Sequence, residues 1–260
     1  MSNASMDRLR QGVTVFGAVF QVLIGFFVPV GSLVNREVSL IIPAGWAFSI
    51  WGPIFLLCGV YAVYQLLPSK RYDPLLRRVG WPLGLTFVGN GVWTAIQPLQ
   101  SPVLSQVVIT IVLVLAIVAL VRFARSSVEN GTQQWIVGLP VGLLAGWLTA
   151  ANVVGFNDML VRLGVVGSGL LAALVGAGLL VVGVAFAAVV IRVVSSGPPQ
   201  ATVTYAVGVV WGLFGIVANQ YDASLITAGV AALGLVLLLA LLFGEVRKSG
   251  ARNSATTRVA

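Results

Sequence analysis

The chain has 260 residues, of which 58% are hydrophobic and only 8% are charged, and its mean hydropathy is +1.02. This composition excludes a soluble globular domain and predicts a protein that lies mostly within a lipid bilayer. The net charge of +8 does not indicate nucleic-acid binding. The basic residues flank apolar segments, where they orient a membrane protein and contact anionic lipid headgroups.

Uncharged runs of membrane-spanning length predict an all-α, polytopic bundle of about eight transmembrane helices, because about 20 apolar residues cross the hydrocarbon core as a helix. The runs are continuous rather than alternating, which excludes a β-barrel. In chain order the predicted spans are 13–34, 46–67, 81–96, 103–123, 135–156, 170–190, 203–218 and 223–243. The third and the seventh are short.

The fifteen Lys and Arg residues divide unevenly between the two sides of this arrangement. With an even number of helices both termini share one side, where thirteen basic residues fall, while Arg36 and Arg162 fall on the other. The positive-inside rule therefore predicts cytoplasmic N- and C-termini and a multi-pass protein of the cytoplasmic (inner) membrane. No charged residue lies in the interior of a predicted span, which disfavours a proton-driven transporter or pump.

The sequence lacks the residues of common catalytic sites. It contains no His, which removes the most frequent metal and haem ligand and the most frequent general base. The single Cys58 lies inside the second predicted span, where we expect a buried thiol. We therefore expect a protein that is not an enzyme and that requires no cofactor.

Aromatic and neutral polar side chains recur at helical spacing within three of the predicted spans. Residues that share a face are Trp51, Phe55, Cys58 and Gln65 in the second span, Thr86, Asn90, Trp93 and Gln97 in the third, and Thr149 and Asn152, near Trp147, in the fifth. Two interpretations remain open. The side chains either form hydrogen bonds and packing contacts between helices, or they converge on an uncharged aromatic cavity for a flat lipophilic ligand.

Three local motifs accompany these faces. The first is PAGWAFSIWGPIFLLCGVYAVYQLL, with Pro43, Gly45, Trp46, Phe48, Trp51, Gly59, Tyr61 and Tyr64 in order. Asn90 and Trp93 then form N-x-x-W, and GWLTAAN follows in the fifth span. In these motifs the chain resembles the TspO/MBR family of tryptophan-rich sensory and translocator proteins, in a longer, eight-helix form.

Two departures from the family pattern concern spacing. Trp46 and Trp51 are five residues apart, where compact members usually have six, and Asn152 follows Trp147 about one turn early. The resemblance covers the first five spans. It divides the chain into a five-helix unit at 1–160, three additional transmembrane helices at 161–244 and a basic cytoplasmic tail at 245–260.

The resemblance implies an integral membrane binding protein, sensor or carrier for flat lipophilic ligands such as porphyrins or sterol-like molecules. A tetrapyrrole is the candidate ligand, and some family members are said to promote light-dependent porphyrin breakdown. Without His, this chain would hold a porphyrin by shape and stacking. The candidate ligand-binding residues are Trp46, Phe48, Trp51, Phe55, Asn90, Trp93, Gln97, Trp147, Thr149 and Asn152.

Two other functions remain open. A membrane facilitator for a small neutral solute predicts a continuous polar path between both faces. A structural membrane partner subunit predicts dense packing around the deep tryptophans, by which we mean Trp51, Trp93 and Trp147 inside the predicted spans. We expect the lipid bilayer and a hydrophobic small-molecule ligand as partners and no nucleic acid, and a homodimer stays an open alternative.

Overall fold

The structure is a computed structural model that describes residues 3–28, 39–126 and 131–257. Within these ranges it contains eight α-helices and no strand. The helices are α1 (Asn3–Phe27), α2 (Trp51–Tyr64), α3 (Pro74–Ala95), α4 (Pro102–Ala124), α5 (Gly131–Arg162), α6 (Leu170–Val194), α7 (Pro199–Gln220) and α8 (Leu225–Thr257). Short 3-10 helices lie at Gly45–Ile50, Pro68–Lys70 and Gln97–Leu99. The predicted all-α class is confirmed.

Seven of the described helical segments are long and apolar enough to cross a membrane. The exception is α3, which carries Arg77 and Arg78 near its start and Asn90 further along. Hydropathy detects only the apolar part of a helix, so α1 and α3 begin well before their predicted spans. Residues 29–34 of the first predicted span, and Arg36, lie outside the described residues.

Helix starts follow from local sequence. Asp73 precedes α3, and its Oδ1 accepts hydrogen bonds from the backbone N–H groups of Leu75 and Leu76 at 3.0 and 3.2 Å. Pro74 then occupies the first helical position, where no N–H is needed. Ser101 and Pro102 start α4 in the same way.

The two central helices are α5 and α7. Their most apolar windows are 67% and 61% buried, whereas that of α8 is only 28% buried. Glycines bring their backbones together, because a Cβ atom at Gly208 would lie 2.7 Å from both the Leu143 carbonyl oxygen and the Trp147 nitrogen. The remaining helices surround this pair, with α4 against α5, α3 against α4, and α1 against α2 and α3. Helices α6 and α8 pack on the other side.

The helix ends that carry basic residues lie together, and we call this side of the bundle the basic end. Arg10 Nη2 donates to the Arg71 carbonyl oxygen at 3.4 Å, and Arg122 Nη1 donates to that of Arg78 at 3.2 Å. A groove beside them is lined by Arg125 and by residues at the end of α6, at the start of α7 and near the end of α8. The structure thus agrees with the uneven charge distribution, whereas the cytoplasmic orientation stays a prediction.

The basic end also contains a buried ionic cluster inside α1. Arg10 is only 1% exposed, and its Nη1 donates to Gln65 Oε1 at 2.9 Å. Asp7 is buried beside it and accepts from Arg77 Nε at 2.9 Å. Both residues lie outside the first predicted span, but inside α1, because this helix begins at Asn3, ten residues before that span.

Candidate functional site

A cavity of about 290 Å³ lies between α1, α2 and α3 at the side of the bundle opposite the basic end, which we call the distal end. We call it the aromatic cavity. Its lining includes Val22, Gly25 and Phe26 of α1, Phe48, Trp51 and Phe55 at the start of α2, and Asn90, Trp93 and Thr94 of α3. A space of about 300 Å³ or more with mainly apolar walls is typical of a small-molecule site.

A second cavity of about 100 Å³, the side cavity, adjoins the first, since Phe48 and Trp93 line both. It extends between α3, α4 and α5 toward the distal end. Its other lining residues include Ile42, Pro43, Gln97, Ser105, Trp147, Val154, Asp158 and Arg162. Phe48 and Trp93 thus form a wall common to both cavities, and the lining of each is mainly apolar.

Contacts between aromatic rings hold the shared wall. Trp51 stacks on Phe55 with ring centroids 5.2 Å apart, and its ring meets the Trp147 ring edge-on at 6.1 Å. Phe48 meets Trp147 edge-on at 5.7 Å. Such pairs add to the stability gained by burial and restrict the orientation of each ring. The cavity walls are therefore preorganised for a flat molecule.

Hydrogen bonds fix Trp93, the other residue shared by the cavities. Its Nε1 donates to Ser105 Oγ at 3.0 Å. Gln97 Nε2 donates to the same oxygen at 3.1 Å and to the Trp93 carbonyl oxygen at 2.8 Å. The indole is thus attached to α4 and presents its flat face, rather than its N–H group, to a ligand.

Two buried polar atoms beside the cavities have no hydrogen-bond partner among the described residues. Asn90 is 1% exposed, and its Nδ2 donates to Gln21 Oε1 at 3.1 Å while its Oδ1 accepts nothing. Trp147 Nε1 is likewise without an acceptor. A buried polar group that lacks a partner destabilises the fold by about 1–3 kcal/mol. Both atoms are enclosed by the surrounding side chains, so neither is open to the cavities in this structure.

The structure brings seven of the ten candidate residues together around the two cavities: Phe48, Trp51, Phe55, Asn90, Trp93, Gln97 and Trp147. The other three lie elsewhere. Trp46 packs edge-on against Trp211 with ring centroids 5.3 Å apart. Thr149 Oγ1 lies 3.1 Å from the Tyr205 hydroxyl, and Asn152 Nδ2 donates to Thr110 Oγ1 at 3.1 Å. A role of these three in ligand binding stays a prediction.

Sequence reasoning missed the wall that α1 contributes. Val22, Gly25 and Phe26 are ordinary apolar residues of a membrane span, so no pattern distinguishes them. It also missed Asp158, and it assigned Arg162 to membrane orientation alone. One signal could have identified Arg162, because it is one of only two basic residues on the sparsely charged side.

Helix α7 supports one wall of the site. The Ala44 N–H donates to the Gly215 carbonyl oxygen at 2.9 Å, and Trp211 Nε1 donates to that of Ala47 at 2.7 Å. Gln220 Nε2 also donates to the Ile42 carbonyl oxygen at 3.0 Å. The segment that leads into Phe48 is therefore attached to a helix outside the predicted five-helix unit.

The fold and the site define a polytopic α-helical membrane protein with an aromatic cavity at one end of the bundle. The chain belongs to the family described as TSPO-like protein, whose profile matches residues 12–243. The family resemblance inferred from the motifs is thereby confirmed, and the match runs through α6, α7 and most of α8. No curated protein and no solved structure matches the chain.

Proposed function

We propose that this TSPO-like protein binds flat lipophilic molecules, such as porphyrins or sterol-like compounds, in the aromatic cavity and acts as a membrane sensor or carrier for them. The observation that carries this proposal is the aromatic cavity itself, which the rings of Trp51 and Trp93 line together with the amide side chain of Asn90. Apolar walls favour a lipophilic body, and a polar side chain in the wall helps to orient it.

The surroundings of the cavity favour entry from the bilayer. Phe26 lines the cavity and is 82% exposed on the outside of the bundle. Gly25 beside it meets no atom of a neighbouring residue within 4 Å at its Cβ position. A ligand dissolved in lipid would reach Trp51 between α1 and its neighbours without crossing a charged surface.

The packing toward the basic end disfavours a facilitator for small solutes. Between the aromatic cavity and Arg10 the described side chains are closely packed and almost fully buried, namely Ile54, Cys58, Tyr61, Leu83 and Phe87. A solute path needs open space that reaches both faces, and these almost fully buried side chains leave little of it in this half of the bundle. Binding is the better supported function.

The space around the deep tryptophans also bears on the third possibility, a structural partner subunit. Dense packing there would favour it, yet Trp51 and Trp93 border a cavity, and Trp147 borders the adjoining one. Protein interiors are close-packed, with few voids larger than a water molecule. A space of about 290 Å³ at this position supports a ligand site.

A titration in detergent with protoporphyrin tests the proposal. Tryptophan emission and the porphyrin absorbance band are recorded together. The second signal is needed because Trp51→Phe removes one of the tryptophans whose emission is measured. We expect saturable binding, weakened about tenfold by Trp51→Phe and by Asn90→Ala, which corresponds to about 1.4 kcal/mol. Trp135→Phe is the matched control, since this exposed residue lies at the basic end of α5. Unsaturable quenching, equal in all variants, would contradict the proposal.

A further inference from the structure

The side cavity ends at a pair of charged residues in the last turn of α5. Asp158 and Arg162 are the only charged side chains that line either cavity within the described part of the chain. Arg162 Nη1 lies 3.8 Å from Asp158 Oδ2. This separation is within ion-pair range but too long for a direct hydrogen bond.

Gln100 holds the guanidinium of Arg162 at the mouth of the side cavity. Arg162 Nη2 donates to Gln100 Oε1 at 2.8 Å and to the Gln100 carbonyl oxygen at 3.2 Å. Gln100 has a φ of 52° and is the only described residue other than glycine with a positive φ. This conformation is unfavourable for a residue with a Cβ atom, and such positions often occur at ligand sites.

The guanidinium of Arg162 has more N–H groups than these contacts use. It carries five donors in one plane, and both bonds to Gln100 come from Nη2. The side chain is 30% exposed, so it is neither fully solvated nor enclosed. A carboxylate at the mouth could accept hydrogen bonds from the remaining N–H groups in the side-by-side geometry that arginine favours.

The length of the side cavity suits a molecule with an apolar body and an acidic end. Val154 and Arg162 both line this cavity and are eight residues apart on α5, which is about 12 Å along the helix axis. Phe48 and Trp93, at its other end, also line the aromatic cavity. A rigid macrocycle with a short acid side chain would reach Arg162 while its rings lie against Trp93.

We propose that Arg162 is a specificity-determining residue that binds a carboxylate of the ligand. The site would then prefer flat lipophilic molecules with an acid group over neutral, sterol-like ones. This inference rests on the proposed function. Asp158 opposes the approach of an anion, and the ligand carboxylate would compete with it for Arg162, so Asp158 limits the affinity for acidic ligands.

Two ligands with the same ring system, one with carboxylates and one without, test this inference. Protoporphyrin carries two carboxylates, and its dimethyl ester has the same rings without them. With wild-type protein in one detergent we expect about tenfold tighter binding of the diacid, since hydrogen bonds to charged groups are the strong ones. Arg162→Gln should remove this preference, and Arg162→Lys should restore part of it because it keeps the charge.

Further variants complete the experiment. Asp158→Asn should strengthen diacid binding a few-fold and leave ester binding unchanged. Arg192→Gln is the control, because it removes one exposed positive charge at the basic end of α6. If Arg162→Gln fails to fold, the ratio of diacid affinity to ester affinity still tests the inference in wild type and in Asp158→Asn. Equal affinities for the two ligands in each of these proteins would overturn it.

The outcomes separate this inference from the proposed function. If both ligands bind equally in wild type and in Arg162→Gln, while Trp51→Phe weakens both, the cavity binds flat lipophiles and Arg162 has no selective role. If neither ligand binds saturably, the proposed function itself fails. A preference for the diacid that Arg162→Gln removes and Arg192→Gln retains supports both.

Discussion

The two halves of the α1–α3 helix pair differ in packing. Toward the basic end, a Cβ atom at Gly17 would lie 2.8 Å from Phe87 Cβ, and one at Gly84 would lie 2.7 Å from Thr14 Oγ1. Close contact continues to Gly91, where an added Cβ would overlap the Phe20 ring, whereas at Gly25 it would meet no described residue within 4 Å. The close packing therefore ends near the aromatic cavity, which Gly25 lines.

The difference lies in the residues that face the glycines. In the basic half, Arg10 fills the space above Gly80, where an added Cβ would lie 2.8 Å from Arg10 Cδ. In the distal half, the rings of Trp51 and Trp93 stand around the cavity. The basic half thus provides close packing and buried hydrogen bonds, and the distal half contains the cavity in which we propose that a ligand binds.

The largest expected effect follows from Arg10→Ala, which removes a fully buried side chain and leaves Gln65 Oε1 without its donor. We expect the free energy of unfolding in detergent to fall by about 3 kcal/mol. Porphyrin affinity of the folded protein should stay unchanged. Arg8→Ala, at an exposed position two residues earlier, should change neither quantity. A large affinity loss in Arg10→Ala would contradict the separation of the two halves.

Gly17→Ala should have a smaller effect on stability, because the new methyl group would overlap Phe87 and force α1 away from α3. Overpacking of this kind costs about 2 kcal/mol. Thermal unfolding in detergent measures it. Gly12→Ala, on the same helix with nothing within 4 Å, should be neutral or slightly stabilising. Equal effects of the two substitutions would show that close packing at Gly17 is unimportant.

Gly25→Leu tests the distal half, where it places a side chain in the aromatic cavity. We expect porphyrin affinity to fall about tenfold, or about 1.4 kcal/mol, because the ligand and the new side chain compete for space. Thermal stability should not fall, since the site has room. The titration described above measures the affinity, and unchanged binding would place the ligand outside this cavity.

Trp211→Phe should have the smallest effect. It removes the hydrogen bond to the Ala47 carbonyl oxygen, which contributes about 1 kcal/mol, while retaining an aromatic ring. The segment before Phe48 would be held less firmly, so we expect a modest loss of stability and a few-fold weaker ligand binding. Phe214→Leu, also next to Trp46, is the control and should leave the affinity unchanged.

Hydropathy and charge predicted most of the fold because lipid restricts the available structures. A spanning segment must satisfy its backbone hydrogen bonds internally, so a long uncharged run is a helix. The polar starts of α1 and α3 could not be predicted this way, since they carry Asp7, Arg10, Arg77 and Arg78. Their burial results from contacts between helices that are distant in sequence.

The candidate site was predictable where helical spacing determines which side chains share a face. Asn90 and Trp93 are three residues apart and line the same cavity. Thr149 and Asn152 were not distinguishable from Trp147 by spacing alone, because the direction of each face depends on how α5 packs against α4 and α7. The role of α7 in holding the Ile42–Ala47 wall had a partial signal, since Trp211 and Gly215 share one helical face and both contact this wall. The hydrogen bond from Gln220 had none.

A crystal structure of the protein with protoporphyrin bound tests the central claim most directly. The proposed function predicts porphyrin density between Trp51 and Trp93, in contact with the side chain of Asn90, and unchanged packing around Arg10. Porphyrin density found only on the lipid-facing surface of the bundle, with the aromatic cavity empty, would contradict the claim.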